Sequence, residues 1–382
     1  MASTDFSHQM PVAGANQAGF ERSKVLFARI HIDLPLLILL ILLCASGLLI
    51  LYSASGQSIA MVQKQAIHYL IGFTVLVVAA QIPPRIYQLL APWAYLLGIL
   101  ALIGVLVMGV TGKGAQRWLA IPGLPRFQPS ELMKLALPLL VAWYMATKGS
   151  PPKLFTLAKA MGLIAIPLVL ILKQPDLGTS ILIGTSGLIV LFFAGMPWWI
   201  IFSMIGTVAA CAPLMWFFVM HSYQKQRVLT FLNPESDPLG SGWNIIQSKT
   251  AIGSGGIEGK GWMQGTQSQL EFLPESHTDF IIAVLAEELG LIGVLLLLTL
   301  YFLILLRGLH IAAKCSTLFG RLLSGSLIVT FFIYVFVNIG MVSGLLPVVG
   351  VPLPLVSWGG TSVVSLLAGF GIMMSMYTHD VK

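Results

Sequence analysis

The stretch EFLPESHTDFIIAVLAEELG, Glu271–Gly290, ends a long polar segment and opens an apolar run that continues to Leu306. Within it, Glu271, Glu275, His277, Asp279, Glu287 and Glu288 stand at or inside the entry of that run. Ionisable groups at the edge of a membrane span are costly and usually face a cavity or carry function. Asp279 is the sharpest case, placed where water, headgroup and a helix N-terminus meet. The competing reading is local: Thr278 or Asp279 caps the helix by accepting hydrogen bonds from its free N–H groups.

The rest of the chain explains why a membrane is invoked at all. Of its 382 residues, 57% are hydrophobic and only 9% charged, and the mean hydropathy is +0.90. No soluble domain of this length hides that much apolar surface, so the chain is an all-α polytopic membrane protein. Its three cysteines suggest no disulfide framework. Residues 1–30 read as a polar N-terminal tail closed by the basic patch Arg22, Lys24 and Arg29, and 31–382 as one membrane domain.

Apolar runs of spanning length fall at about 34–52, 66–82, 92–110, 130–147, 159–173, 178–195, 198–220, 279–306, 321–343 and 358–377, about ten spans. The short fifth run and its neighbour across Gln174–Gly178 form one re-entrant unit in the nine-span alternative. The Lys/Arg bias of the short loops puts both termini in the cytoplasm and the large connection at about 221–278, between spans seven and eight, outside. That connection carries aromatic residues and balanced charge, unlike a disordered linker. Its AIGSGGIEGKGW (Ala251–Trp262) resembles a phosphate loop only superficially, because Ser254 and Gly261 break the Walker A pattern. SGLLPVVGVPLPLVSWGG (Ser343–Gly360) is proline-rich and cannot be regular helix, which predicts an element folded back against protein.

Candidate functional residues gather on the outer side of this topology. The loop Thr111–Ser130 carries Lys113, Arg117 and Arg126 with no acid before Glu131, a pattern that suits an anionic ligand or, alternatively, lipid headgroups. Glu131 and Lys134 are three apart and share a helix face, with Gln128 just before them; a structural ion pair is the plainer reading. Asp176, in QPDLG, is placed to cap span six. His277 and Ser357 flank the outer ends of spans eight and ten. Glu287 and Glu288 lie too deep and on other faces than Asp279, and read as packing contacts. No metal box, Ser-His-Asp arrangement or nucleotide motif is evident.

The motifs KGAQRW (Lys113–Trp118), RFQPSE (Arg126–Glu131), QPDLGTS (Gln174–Ser180), NPESDPLGSGWNIIQSK (Asn233–Lys249), GTQSQLEFLPESHTDF (Gly265–Phe280) and VNIGMVSGLLPVVGVPLPLVSWGG (Val337–Gly360) resemble those of the SEDS family of bacterial cell-wall membrane proteins, in its elongation-specific branch. Trp358 departs from the tyrosine more usual there. The resemblance implies a peptidoglycan glycosyltransferase of the bacterial cytoplasmic (inner) membrane. Its substrate would be lipid II, the undecaprenyl-pyrophosphate-linked disaccharide-pentapeptide. Asp279 would be the general base, with Glu131 and Lys134 in a functional polar cavity. Lys113, Arg117, Arg126, Lys134 or a divalent cation (Mg2+ or Mn2+) would meet the departing pyrophosphate. The partners implied are a class B penicillin-binding protein, the transpeptidase of the pair, and other elongation-complex membrane proteins; nothing points to nucleic acid. Transport of lipid II across the membrane, as a flippase, is the alternative activity.

Overall fold

The computed structural model describes residues 30–112, 115–119, 127–220, 222–233, 241–269 and 275–379. Its helices are α1 (Leu34–Ala54), α2 (Ile59–Gln81), α3 (Pro84–Met108), α4 (Pro129–Lys148), α5 (Leu154–Leu172), α6 (Leu177–Phe193), α7 (Trp198–Leu214), α8 (Ser222–Leu232), α9 (Ser241–Gly255), the single turn α10 (Thr266–Gln269), α11 (Ile281–Lys314), α12 (Leu318–Val342) and α13 (Thr361–Thr378). An antiparallel hairpin, β1 (Val110–Gly112) with β2 (Ala115–Trp118), lies between α3 and α4.

Each expected span coincides with one helix, α1–α7 and α11–α13. Eight of these are long and apolar enough to cross a membrane, α7 by running on through a π-helical turn to Phe218. The other two fall short for physical reasons: α6 is apolar but only 17 residues long, and α4 carries Glu131 in its first turn. The 173–176 connection is a turn whose last residue, Asp176, caps α6. Caps at Asp33, Ser58, Asp176 and Thr317 start α1, α2, α6 and α12 by accepting from N–H groups that the helix leaves unpaired.

Alternating passes bring the hairpin, the 173–176 turn, the long connection and residues 343–360 to one end of the bundle. Contacts between them bear this out. Arg117 donates to the Pro175 carbonyl at 2.9 Å, Ser276 to that of Ala54 at 3.0 Å, and the Trp358 N–H to that of His277 at 2.9 Å. At the opposite end Arg307 pairs with Asp33, closing α11 onto α1.

Two irregular elements shape the first end. Residues 343–360 leave the helical pattern as their prolines require, yet Leu353, Leu355 and Val356 are buried. Non-helical backbone at this depth needs its carbonyls satisfied from within the protein. Side chains from three helices do so. Tyr69 donates to Leu355 O at 2.7 Å, Tyr301 to Pro354 O at 2.6 Å, Gln65 to Ser357 O at 3.3 Å and Asn338 to Val351 O at 2.7 Å.

The second element is a break in α11 at Gly290, whose φ of 63° and ψ of −161° lie where glycine alone is comfortable. The glycine-rich run of the long connection docks there by its backbone. Lys260 and Gly261 donate to Glu287 O and Glu288 O, each at 3.0 Å, and Leu291 donates back to Gly256 O at 3.0 Å. A Cβ on Gly259 would lie 2.1 Å from Glu288 O, so the approach excludes any side chain. The glycines that suggested a phosphate loop are therefore docking glycines.

Glu287, fully buried, fastens the same region. Its Oε1 accepts from Lys260 Nζ at 2.7 Å, the Gln267 N–H at 2.9 Å and Thr266 Oγ1 at 3.1 Å. Glu288 accepts from Ser53 of α1. Of the two expected packing contacts, Glu288 thus joins helix to helix, while Glu287 joins α11 to the connection.

Candidate active site

The site begins with the first turn of α4. Gln128 occupies the N-cap position without a side-chain cap bond, Pro129 starts the helix, and Glu131 follows in its first turn. An acid there is favoured by the positive helix end. Lys134, one turn on, places Nζ 2.7 Å from Glu131 Oε1, and Ser365 of α13 donates to Glu131 Oε2 at 2.8 Å. The pair is nearly out of solvent, with side-chain exposures of 8% for Glu131 and 15% for Lys134. Lys134 Nζ also sits 5.0 Å over the ring of Tyr334 on α12. A desolvated pair with satisfied carboxylate oxygens holds its charges fixed, which is costly to build and suits a site better than a bundle seam.

These groups line a cavity of about 340 Å³ at the site end of the bundle. Its walls are Trp118 of β2, Gln128, Glu131 and Lys134 of α4, Tyr334 of α12, and residues 350–363. The irregular element thus serves as one whole wall, which a regular helix at that place would have filled.

Asp279 does not open α11 as expected. The helix starts at Ile281 with Phe280 at the N-cap position and no side-chain cap bond, because residues 275–280 form a tight turn closed by the Phe280 and Thr278 N–H groups on Glu275 O. Asp279 therefore stands one residue before the N-cap position. Its main-chain carbonyl accepts from Asn338 Nδ2 at 2.9 Å, and a Cβ on Gly350 would lie 3.4 Å from its Oδ2. Gly350 belongs to the cavity wall, so the half-buried carboxylate lies against that wall where a glycine leaves room.

Other expected site residues are placed differently. Asp176 caps α6, accepting from the Thr179 N–H at 3.2 Å, and pairs with Arg117 at 3.4 Å. Arg117 is therefore engaged in holding the hairpin to the α5–α6 turn. Ser357 accepts from the Leu353 N–H at 2.9 Å and donates to the Thr278 carbonyl, pinning the irregular element to the Asp279 turn. His277 contributes its carbonyl, which receives the Trp358 N–H. Trp358, the unusual aromatic, is on the cavity wall and meets His68 of α2 edge-on at 5.9 Å. Lys113, Arg126 and Glu271 lie outside the described residues.

Three residues that matter here escaped the sequence reading: Tyr334, Asn338 and Ser365. Each is a polar residue inside an apolar span, and Tyr334 and Asn338 are four apart on one face of α12. Intramembrane polarity with helical spacing was the available signal.

Among the described residues no three His, Cys, Asp or Glu side chains come together as ligands for a metal ion. A divalent cation held by one or two carboxylates together with the substrate's own phosphates would not need such a cluster.

Fold and cavity define the class: a polytopic helical membrane protein with a buried acid–base pair lining a cavity and a second acid beside one of that cavity's wall residues. The sequence profile of the cell cycle proteins FtsW, RodA and SpoVE matches residues 33–382, and the chain belongs to that family. It is 55% identical over 356 residues to the peptidoglycan glycosyltransferase MrdB of Escherichia coli K12, covering 93% of this chain and 96% of that one. It is 38% identical over 361 residues to a probable peptidoglycan glycosyltransferase FtsW of Geobacter metallireducens, covering 91% and 95%. The crystal structure of the rod shape determining protein RodA of Thermus thermophilus superimposes with a TM-score of 0.70 at 28% identity, over 92% of this chain and 98% of that one. A chain from a structure on the coordination of polymerization and crosslinking by a peptidoglycan synthase complex does so with a TM-score of 0.81 at 31% identity, with the same coverage.

Proposed function

We propose that this protein is a peptidoglycan glycosyltransferase that polymerises lipid II into glycan strands during cell elongation. The observation that carries the residue assignment is that the Glu131–Lys134 pair lines the cavity while the Asp279 carboxylate lies beside Gly350 of its wall. Joining two sugars with inversion requires a base to take the proton of the acceptor hydroxyl as it attacks the anomeric carbon. Asp279 is that base. The leaving group departs as a lipid pyrophosphate, and a fixed cation beside it stabilises the charge it gains. Lys134 is the described residue that offers such a cation to the cavity.

Flipping lipid II would need a polar path to both faces of the membrane. Below Lys134 the space between α4, α12 and α13 narrows to a small chamber of about 40 Å³ walled mainly by leucine, isoleucine, phenylalanine and methionine. That supports chemistry at one face over passage to the other.

The chain works in the cytoplasmic membrane with both termini inside, its cavity facing the cell wall. Its partner is a class B penicillin-binding protein whose membrane helix docks on the lipid-facing side of α11 and α12, where Leu296, Phe302 and Phe336 are exposed. Other elongation-complex membrane proteins would join that assembly. Likeness to a chain of a peptidoglycan synthase complex supports the partnership. The direct test is glycan polymerisation from purified protein and lipid II, with and without the partner. Polymer that lengthens when the partner is added supports the reading. No polymer under either condition, with lipid II crossing vesicles instead, would replace it by the flippase.

A further inference from the structure

Three polar residues follow one another along a single face of α12 at helical spacing: Thr330, Tyr334 and Asn338. Each has a buried polar atom without a hydrogen bond, Thr330 Oγ1, Tyr334 OH and Asn338 Oδ1. Asn338 at least employs its amide on the carbonyls of Asp279 and Val351. The Tyr334 hydroxyl has no acceptor for its proton, although the residue is only 6% exposed and its oxygen faces the Lys134 ammonium. Leaving a buried hydroxyl unpaired is costly, so a phenol kept there instead of phenylalanine needs a partner the protein does not supply.

The surroundings say what kind of partner. Tyr334 lies on the walls of both the large cavity and the small chamber beneath it, as Lys134 and Leu366 do. The Glu131 oxygens accept from Lys134 and Ser365, and neither receives the Tyr334 hydroxyl. Lys134 has three donor hydrogens and gives one to Glu131. An unsatisfied O–H and an ammonium with donors to spare thus stand side by side at the floor of the cavity, with no acceptor between them. Two converging donors of this kind fit an anionic oxygen.

We propose that Tyr334 is a substrate-positioning residue whose hydroxyl, together with Lys134, holds a phosphoryl oxygen of the lipid-linked diphosphate. This rests on the glycosyltransferase reading for its substrate, but its test does not require turnover. The chamber below, with Thr330 on its wall, has room for about three waters on the usual requirement of about 10–15 Å³ each.

The test uses purified full-length protein in detergent, undecaprenyl diphosphate as the probe, and two variants. Tyr334→Phe removes an unpaired hydroxyl, so the ligand-free protein should melt at or above the parent temperature while binding the probe at least fivefold more weakly. Tyr87→Phe is the counterpart, since the Tyr87 hydroxyl donates to Ala79 O at 2.8 Å far along the chain from the cavity residues. It should melt lower and bind normally. Unchanged probe binding in Tyr334→Phe would mean that only water meets the hydroxyl, and would overturn the proposal. A lowered melting temperature would overturn it too, by showing a structural bond. Weakened lipid II binding with undiminished undecaprenyl diphosphate binding would assign the hydroxyl to a sugar and refute the phosphoryl contact.

Discussion

Asn338 of α12 donates from one amide nitrogen to the main-chain carbonyl of Asp279 at 2.9 Å and to that of Val351 at 2.7 Å. A single buried side chain thus sets the distance between the proposed base and the irregular element that walls the cavity. In a span with little water to substitute, each orphaned carbonyl would cost about 1–3 kcal/mol. Asn338→Leu should therefore lower the unfolding temperature in detergent and reduce polymerisation at least tenfold, about 1.4 kcal/mol of transition-state stabilisation. A Leu variant with normal melting and normal rate would show that neither carbonyl needs the amide.

The Gly290 break is predicted to be intolerant of any Cβ. A side chain there would meet Gly259 N and Ile257 O, both at 2.4 Å, in a backbone region that costs non-glycine residues about 1–3 kcal/mol before any clash. Gly290→Ala should therefore reduce membrane abundance and thermal stability. Gly259→Ala should do the same, since both glycines serve one contact. Alanine tolerated at both positions would mean that the connection does not dock as described.

Glu287 should behave as the fastener of that connection. Removing one partner of a buried pair costs about 3–5 kcal/mol because the other charge is left uncompensated. Lys260 keeps a side-chain exposure of 27%, so Glu287→Ala should fall at or below the low end of that range. Limited proteolysis checks the geometry: cleavage within residues 256–269 should accelerate in Glu287→Ala. Unaltered cleavage would confine Glu287 to helix packing.

Exchanging Glu131 and Lys134 separates a structural pair from a functional one. The ion pair can re-form, while a lysine in the first turn of α4 opposes the helix dipole by only about 0.3–1 kcal/mol. The exchanged protein should accumulate normally and fail to polymerise lipid II. Retained activity would return the pair to a structural role.

Much of this architecture was legible in the sequence, and the failures have identifiable causes. Apolar run length located a helix at each of the ten expected spans, eight of them long and apolar enough to cross a membrane. The same rule placed the polar clusters at one end. It could not show that α11 breaks at Gly290, since one glycine in an apolar run looks like an ordinary helix residue until another backbone approaches it. It misread the start of α11, where Thr278 and Asp279 look like caps but Glu275 closes a turn first. Arg117 read as a free cation because its partner Asp176 is distant in sequence. Tyr334 and Asn338 were hidden by the opposite effect: they sit in the middle of a span already assigned to the bundle.

Topology is open to a direct check. Glu258 and Lys153 are both exposed, on opposite ends of the bundle. In a background lacking the natural cysteines, an impermeant thiol reagent should label Glu258→Cys in intact cells and reach Lys153→Cys only after permeabilisation. Reversed labelling would turn the cavity toward the cytoplasm and remove access to the growing wall.

The central claim is that Asp279 is the base, and Asp279→Asn measures it most directly. Asparagine preserves shape and leaves the carbonyl that Asn338 holds, but it cannot accept the acceptor sugar's proton. Because α11 starts at Ile281 with Phe280 at the N-cap position, and asparagine can accept hydrogen bonds much as aspartate does, folding should be little disturbed. The variant should reach normal abundance and retain lipid II binding while polymerisation falls by about two orders of magnitude or more, within the usual range for a lost general base. Lost binding would make Asp279 a substrate ligand instead, and polymerisation at even a third of the parent rate would contradict the mechanism.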